Sequence, residues 1–231
     1  MTIHTQWVQG SGVGVGGETS LPRTPNPQPR TSDRPSRFAY LAKEIPRRLL
    51  RRALCAFYDV SRWHVASSAN KPYVLDAIAY VEARRPLRVV EVGCGFCDIL
   101  SHVPAPFRLG YDADAHVVRA AQLYTRLKGS RVALQRLDLM GEGVPNVAAD
   151  AWILVNWLHE FEPELVNRRL REVFAQLEPG GVMIFDTVTA PPYRHAHDAG
   201  AVADGLPCRL EPISREPGVG RTVWAAERVV A

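Results

Sequence analysis

Apolar residues recur at three-to-four spacing over 37–56: Phe38, Leu41, Ile45, Leu49, Leu50, Ala53 and Leu54, with Phe57 continuing the row. That period predicts an amphipathic helix, which Pro46 kinks or restarts. Arg47, Arg48, Arg51 and Arg52 fall mostly on the opposite face. Such a face is either solvated or in contact with an acidic partner or membrane surface, and two arginine pairs favour the solvated reading. A second helix is predicted over 72–84, with Val74, Leu75, Ile78 and Val81 as its apolar stripe. Pro72 sits in its first turn and Pro86 stops it.

From 87 onward the pattern becomes alternating strands and helices. Short apolar runs at 87–92, 107–112, 131–138, 150–156 and 182–188 read as strands. Helical stretches begin at Ile99–Leu100, span 113–127, and span 163–177. The segments 206–216 and 221–230 read as a hairpin joined at Pro217-Gly218-Val219-Gly220. This order predicts an α/β fold: a doubly wound, Rossmann-like sheet of seven mostly parallel strands, ending in a C-terminal antiparallel hairpin and preceded by N-terminal helices. Residues 1–36 carry Gly10, Gly12, Gly14, Gly16 and Gly17, then Pro22, Pro25, Pro27, Pro29 and Pro35. Such a segment buries too little to offset its ordering entropy and reads as a disordered tail. The expected organisation is a tail (1–36), a helical lid (37–84) and the α/β domain (85–231).

The chain has 231 residues, 46% apolar and 23% charged, as a soluble globular protein does. No run approaches about 18 apolar residues, so no membrane span is expected. The start lacks a basic segment followed by an apolar one, so no secretory signal is expected. Four cysteines in a chain this long are not a disulfide framework, and a cytoplasmic home is expected. The net charge of +4 is unevenly spread. Residues 1–62 hold ten Lys/Arg against four Asp/Glu, whereas the remainder holds eighteen against twenty. The body is therefore not a nucleic-acid-binding domain by charge.

The segment VVEVGCGFCDIL (89–100) is the most informative. A buried strand ends at Gly93-Cys94-Gly95, where glycines admit close approach of a ligand to the backbone. Ligands of open α/β sheets sit outside the strands' carboxyl ends, at the switch point. Asp112 lies nineteen residues beyond Gly93, at the end of the second strand. It suits two ribose hydroxyls, or, like Asp114, capping of the next helix. Asp138, ending the third strand, suits an adenine amino group, or is a surface loop aspartate. A nicotinamide dinucleotide fits poorly, because Asp98 stands where the third glycine of its fingerprint belongs, and its charge opposes a pyrophosphate. Cys94-Gly95-Phe96-Cys97 also has the spacing of a thiol–disulfide motif.

These residues resemble the class I S-adenosylmethionine-dependent methyltransferases. VVEVGCGFCDIL is similar to their first motif, GYDADAHVVRAA (110–121) to the second-strand acid and helix, and QRLDLM (135–140) to the third-strand adenine contact. ILVNWLHEFEPE (153–164) and LEPGGVMIFDT (177–187) resemble the stretches at the fourth and fifth strands. The motifs come in family order over about 85–231. One departure is Cys97, where the first motif's last glycine would stand. The resemblance implies S-adenosyl-L-methionine as cofactor. Glu91 would orient its amino-acid end, and Gly93 and Gly95 would give backbone access. Asp112 would hold the ribose hydroxyls, Ala113 would lie against the adenosine, Asp138 and Leu139 would contact the adenine, and Asn156 would stand near the methionine moiety.

His159-Glu160-Phe161 is similar to the stretch in small-molecule O-methyltransferases whose histidine acts as general base. An imidazole near its ordinary pKa can accept a hydroxyl proton at neutral pH. Alternatively His159 caps the next helix or packs against Trp157, and Glu160 orients His159, binds an amine or is a first-turn acid. Tyr193, His195 and His197, with Arg194 and Asp198, form either a substrate-contacting or a solvent loop; Trp63 and Tyr73, with Tyr58 and His64, form either an aromatic lid over the acceptor or core packing of the helices. His195-x-His197-Asp198 lacks a fourth ligand, so no metal is expected. The expected reaction is O-methylation of a small molecule, natural product or saccharide. The alternatives are N-methylation of a small amine, a non-catalytic cofactor-binding subunit, and a thiol–disulfide oxidoreductase using Cys94 and Cys97. The expected partners are a small-molecule acceptor and no nucleic acid, in a monomer or homodimer.

Overall fold

The computed structural model describes residues 37–67, 71–189 and 193–229, with side chains from Ile45 onward. The expected tail over 1–36 lies outside the described residues. Helix α1 spans Arg37–Phe57 and α2 spans Pro72–Glu82. Strands β1 (Arg88–Val92) and β2 (Phe107–Asp112) follow, then α3 (Ala115–Leu127), β3 (Ala133–Arg136) and the short α4 (Leu139–Glu142). Next come β4 (Ala149–Leu154), α5 (Pro163–Ala175), β5 (Leu177–Val188), α6 (Ala199–Ala203), β6 (Cys208–Glu216) and β7 (Arg221–Arg228).

The strands form one seven-stranded sheet in the order β3-β2-β1-β4-β5-β7-β6. β1 to β5 are parallel, and β7 runs antiparallel between β5 and β6. The strand order reverses between β1 and β4, which opens a crevice at their carboxyl ends. Alternate residues of each strand feed two cores, as a period of two requires. Val89, Ile153 and Ile184 pack with Tyr73, Val74 and Ile78 of α2. Val90, Trp152, Leu154 and Phe185 pack with Val166, Leu170 and Phe174 of α5.

Three expectations change. No helix forms between β1 and β2. Residues 95–102 make successive turns instead, because Gly95 and Cys97 take positive φ and the Leu100 N–H donates to Glu91 Oε2 at 3.0 Å. Pro104 and Pro106 close off what remains. β5 starts at Leu177 rather than 182, with Gly181 lying close over Asp150. Finally, α1 continues through Pro46, and its apolar row does not all turn inward. Leu54 and Cys55 pack against α3 with Leu50 at their side, whereas Ile45, Leu49 and Phe57 are exposed. Arg51, expected on the solvated face, is buried.

Candidate active site

The crevice holds two cavities sharing Trp63, His64, Gly93, Val155 and Asn156 in their walls. The larger, about 240 Å³, is otherwise lined by Asp112, Ala113, Asp138, Leu139, Trp157 and Glu160, among others. The smaller, about 100 Å³, reaches Glu91, Cys94, Gly95, Arg51 and Asp98. All eight cofactor-site candidates therefore line one cavity or the other.

The turn after β1 is left-handed at Gly93 (φ +68°), Gly95 (φ +48°) and Cys97 (φ +60°). A Cβ on Gly93 would come within 2.6 Å of the Trp157 indole, so the close approach requires glycine as much as the backbone angle does. The Gly95 N–H donates to Asp112 Oδ2 at 3.0 Å, and the Asp114 N–H to Asp112 Oδ1 at 3.1 Å. Asp112 is thereby fixed at the cavity wall. It does not cap α3; Asp114 does, accepting from the His116 N–H at 2.7 Å. Burial pushes the Asp112 carboxyl up, partly offset by those two backbone N–H groups and by His64. Asp138 is no free surface group. It caps α4 through Oδ1, accepting from Met140 and Gly141 N–H, while lining the larger cavity.

Glu91 is 5% exposed and accepts from the Leu100 N–H. Burial raises its carboxyl well above the ordinary range; the Leu100 N–H opposes this, and Asp98 and Asp112 add to it. Asn156 lies two residues past the end of β4, at φ +76°. Its N–H donates to Asp186 Oδ1 at 2.7 Å, and its side-chain oxygen accepts from the Tyr73 hydroxyl at 3.1 Å. A strained residue held by two such partners is over-determined, as at many functional positions.

The acceptor-side candidates separate. Trp63 is exposed and borders both cavities. Tyr73 is buried and acts on the site through Asn156. Glu160 faces the larger cavity. His159 lines neither: it is 9% exposed, with its ring 4.5 Å from that of Tyr193 and Nε2 at 3.4 Å from Glu160 Oε1. Burial pulls its pKa down, the Arg221 charge adds to this and Glu160 opposes it, so the ring is neutral at pH 7. Tyr193 accepts from Arg221 Nη2 at 2.9 Å. His195 packs beside Glu162, with Nδ1 at 3.5 Å from its carboxylate. His197 is buried and donates through Nε2 to the Leu158 carbonyl at 3.0 Å, and like Tyr193 and His195 it lines neither cavity. Among the described residues no cluster of His, Cys, Asp and Glu could hold a metal ion.

Two side-chain pairings escaped the sequence analysis, and His64, one of the lid candidates, takes a defined place. Arg51 reaches from α1 to Asp98, with Nη1 at 3.1 Å from Oδ2, which neutralises the acid in the turn. His64 packs beside Gly95 under Trp63. Asp186 and Arg221 form a buried ion pair that also holds Asn156 and Tyr193. An acid inside the apolar run 182–188 was the one available signal of this pair.

No protein-family model matches the chain, and no curated protein matches it in sequence. Its fold is similar to solved structures. One is magnesium protoporphyrin IX methyltransferase from Synechocystis with bound SAH, at 15% identity and a TM-score of 0.57, covering 69% of this chain and 84% of that one. A second is an S-adenosylmethionine-dependent methyltransferase from Clostridium acetobutylicum, at 12% identity and a TM-score of 0.54, covering 69% and 92%. A third is the S-adenosylmethionine-dependent methyltransferase SibL, at 17% identity and a TM-score of 0.55, covering 68% and 55%. The expected Rossmann-like methyltransferase fold is thus the one observed.

Proposed function

We propose that this chain is an S-adenosylmethionine-dependent methyltransferase that methylates a hydroxyl group of a small molecule. The observation that carries the reading is the convergence of Gly93, Asp112, Ala113, Asp138, Leu139 and Asn156 on one 240 Å³ cavity at the switch point. The residues fit the cofactor chemically. Asp112 has both oxygens oriented by backbone N–H groups, with lone pairs left for ribose hydroxyls. Glu91 is a buried carboxyl whose ionised form an incoming ammonium group would favour. Leu139, Met140 and Trp157 give an apolar wall for a base.

S-adenosylmethionine supplies an electrophilic methyl group when bound. The chain's own task is then to bind, orient and deprotonate. Glu160 at the cavity, with His159 Nε2 behind it, is the pair we assign to the acceptor's proton. A neutral imidazole can store that proton. Positioning of the two reactants carries most of the remaining acceleration. The lid role falls to residues 37–67, whose Trp63 and His64 line both cavities, whereas α2 packs on the sheet as part of its core. A second reading has its own support: Glu160 faces the cavity and His159 does not, which suits an amine acceptor held by the carboxylate. His159→Ala separates the two, because transfer to an amine needs no strong base.

Isothermal titration with S-adenosylhomocysteine tests the cofactor assignment. Micromolar saturable binding is expected. Asp112→Ala should weaken it by roughly tenfold or more, the equivalent of about 1.5–3 kcal/mol for hydrogen bonds to a charged group. No binding by the folded protein would overturn the assignment.

A further inference from the structure

The glycine turn carries chemistry that cofactor binding does not use. Cys94 and Cys97 bracket Gly95 and Phe96, and the Cys97 N–H donates to the Cys94 carbonyl at 2.7 Å. Such a bond closes a turn whose end Cα atoms lie within about 7 Å. Disulfide-linked cysteines span roughly 4.4–6.8 Å. Both thiols are free and pack in the same apolar cluster under the turn. Cys55 and Cys208 belong to other parts of the molecule.

Cys97 is fully buried at φ +60°, a conformation that glycine adopts without strain. Its side chain makes no use of the cavity. What a cysteine adds there over glycine is a sulfur next to Cys94. Cys94 borders the smaller cavity but is 4% exposed, its sulfur packed towards Gly110 of β2, so a small oxidant in an empty site reaches the sulfur through an opening of the turn. Gly95, between the two, holds Asp112 through its N–H. A contraction of the turn is therefore felt at the residue assigned to the ribose.

We propose that Cys94 and Cys97 are an oxidative modification site: a hydroperoxide entering the empty cavity links them in a reversible disulfide that lowers cofactor affinity, and bound cofactor protects them. The proposal rests on the cofactor reading above. The Cys94 sulfur, as thiolate, attacks one peroxide oxygen. The O–O bond breaks, and the departing oxygen leaves as water or alcohol with the thiol's proton. Cys94 is then a sulfenic acid. The Cys97 sulfur attacks the Cys94 sulfur, the S–S bond forms, and hydroxide leaves with the Cys97 proton as water. Two thiols lose two electrons and two protons, and the peroxide is reduced. The hydrogen bond that the Cys94 thiol donates to Cys97, burial, and the nearby Cys97, Glu91 and Asp112 push the Cys94 thiol well up. The step is accordingly slow, and the site answers sustained oxidant rather than a pulse.

The full chain, reduced, is treated with hydrogen peroxide with and without saturating S-adenosylhomocysteine. Alkylation followed by peptide mass measurement reads the disulfide, and titration reads affinity. The Cys94–Cys97 peptide should lose two hydrogens, affinity should fall at least tenfold, and dithiothreitol should restore it. Saturating ligand should slow the crosslink severalfold. Cys97→Gly, which suits the local φ, should show the same affinity before and after peroxide. Thiols that remain alkylatable after peroxide, while the urea-unfolded chain crosslinks, would overturn the proposal. So would a crosslinked protein that binds as the reduced one does. A reduced protein that binds no S-adenosylhomocysteine removes the cofactor reading and the gating with it; equal binding by both forms removes the gating alone.

Discussion

Asp186 and Arg221 offer the most direct test of how the site is held. Their side chains are 1% and 3% exposed. One Asp186 oxygen accepts from Arg221 Nη1 and the other accepts from the Asn156 N–H at 2.7 Å. Arg221 also donates to the Tyr193 hydroxyl, and its guanidinium lies 4.7 Å from the Tyr73 ring centroid. Asp186→Asn keeps the shape and removes the charge. An amide has one acceptor oxygen where two donors, from separate elements, each require one. Whichever way it flips, either Arg221 or Asn156 loses its partner. Breaking a buried pair by removing one member costs about 3–5 kcal/mol, a large share of the roughly 5–15 kcal/mol that holds a domain. Urea denaturation at pH 7 measures this. The double variant Asp186→Asn/Arg221→Met has no orphaned cation, and the amide oxygen can then serve Asn156. It should recover more than half of the loss, together with S-adenosylhomocysteine affinity. A single-variant cost under about 1 kcal/mol, or a double variant equal to the sum of the singles, would refute the argument.

Two further outcomes are expected. Gly93→Ala places a Cβ 2.6 Å from Trp157 at φ +68°, whereas Gly95→Ala meets only His64, at 3.4 Å and φ +48°. The first should cost about 1–2 kcal/mol in backbone strain plus about 1–3 kcal/mol to displace the indole, and should shift tryptophan fluorescence. The second should cost the strain alone. Equal costs by urea denaturation would contradict the packing at Gly93. If His159 stores the acceptor's proton, its lowered pKa keeps the ring neutral below the ordinary 6.5. The acid limb of kcat should then fall below pH 6.5 and vanish in His159→Ala, and a limb at or above 6.5 would count against that role.

Much of this was legible in the sequence where local backbone decides the outcome. The strands announce themselves as short apolar runs, and the hairpin by its Pro-Gly turn. Gly93, Gly95 and Asp112 fall at strand ends, where an open α/β sheet places its ligand. The element misread was the connection after β1. Its residues have helical periodicity, but two left-handed positions and a carboxylate that captures the Leu100 N–H stop propagation after a turn. Helix α1 was ambiguous for a different reason. Its apolar row is wide enough to offer two faces, and periodicity cannot say which one meets α3.

What stayed hidden depends on partners far apart in the chain. Arg51 reads as one of four solvated arginines until α1 is docked; only then does Asp98 receive it across 47 positions. Asp112 and Asp114 are equivalent in sequence, two acids before a helix. They part ways because the N–H of Gly95, on the neighbouring strand's turn, reaches one of them and not the other. The same logic applies to His159 and Glu160. Adjacent residues in a tight turn point different ways, and the turn delivers the carboxylate to the cavity while the imidazole packs on Tyr193. Arg221 and Tyr193 hold that arrangement from beneath. The role we propose for the histidine thus depends on a contact between the loop after β5 and the start of β7, and variants there should alter kcat and leave the turn over Gly93–Cys97 intact.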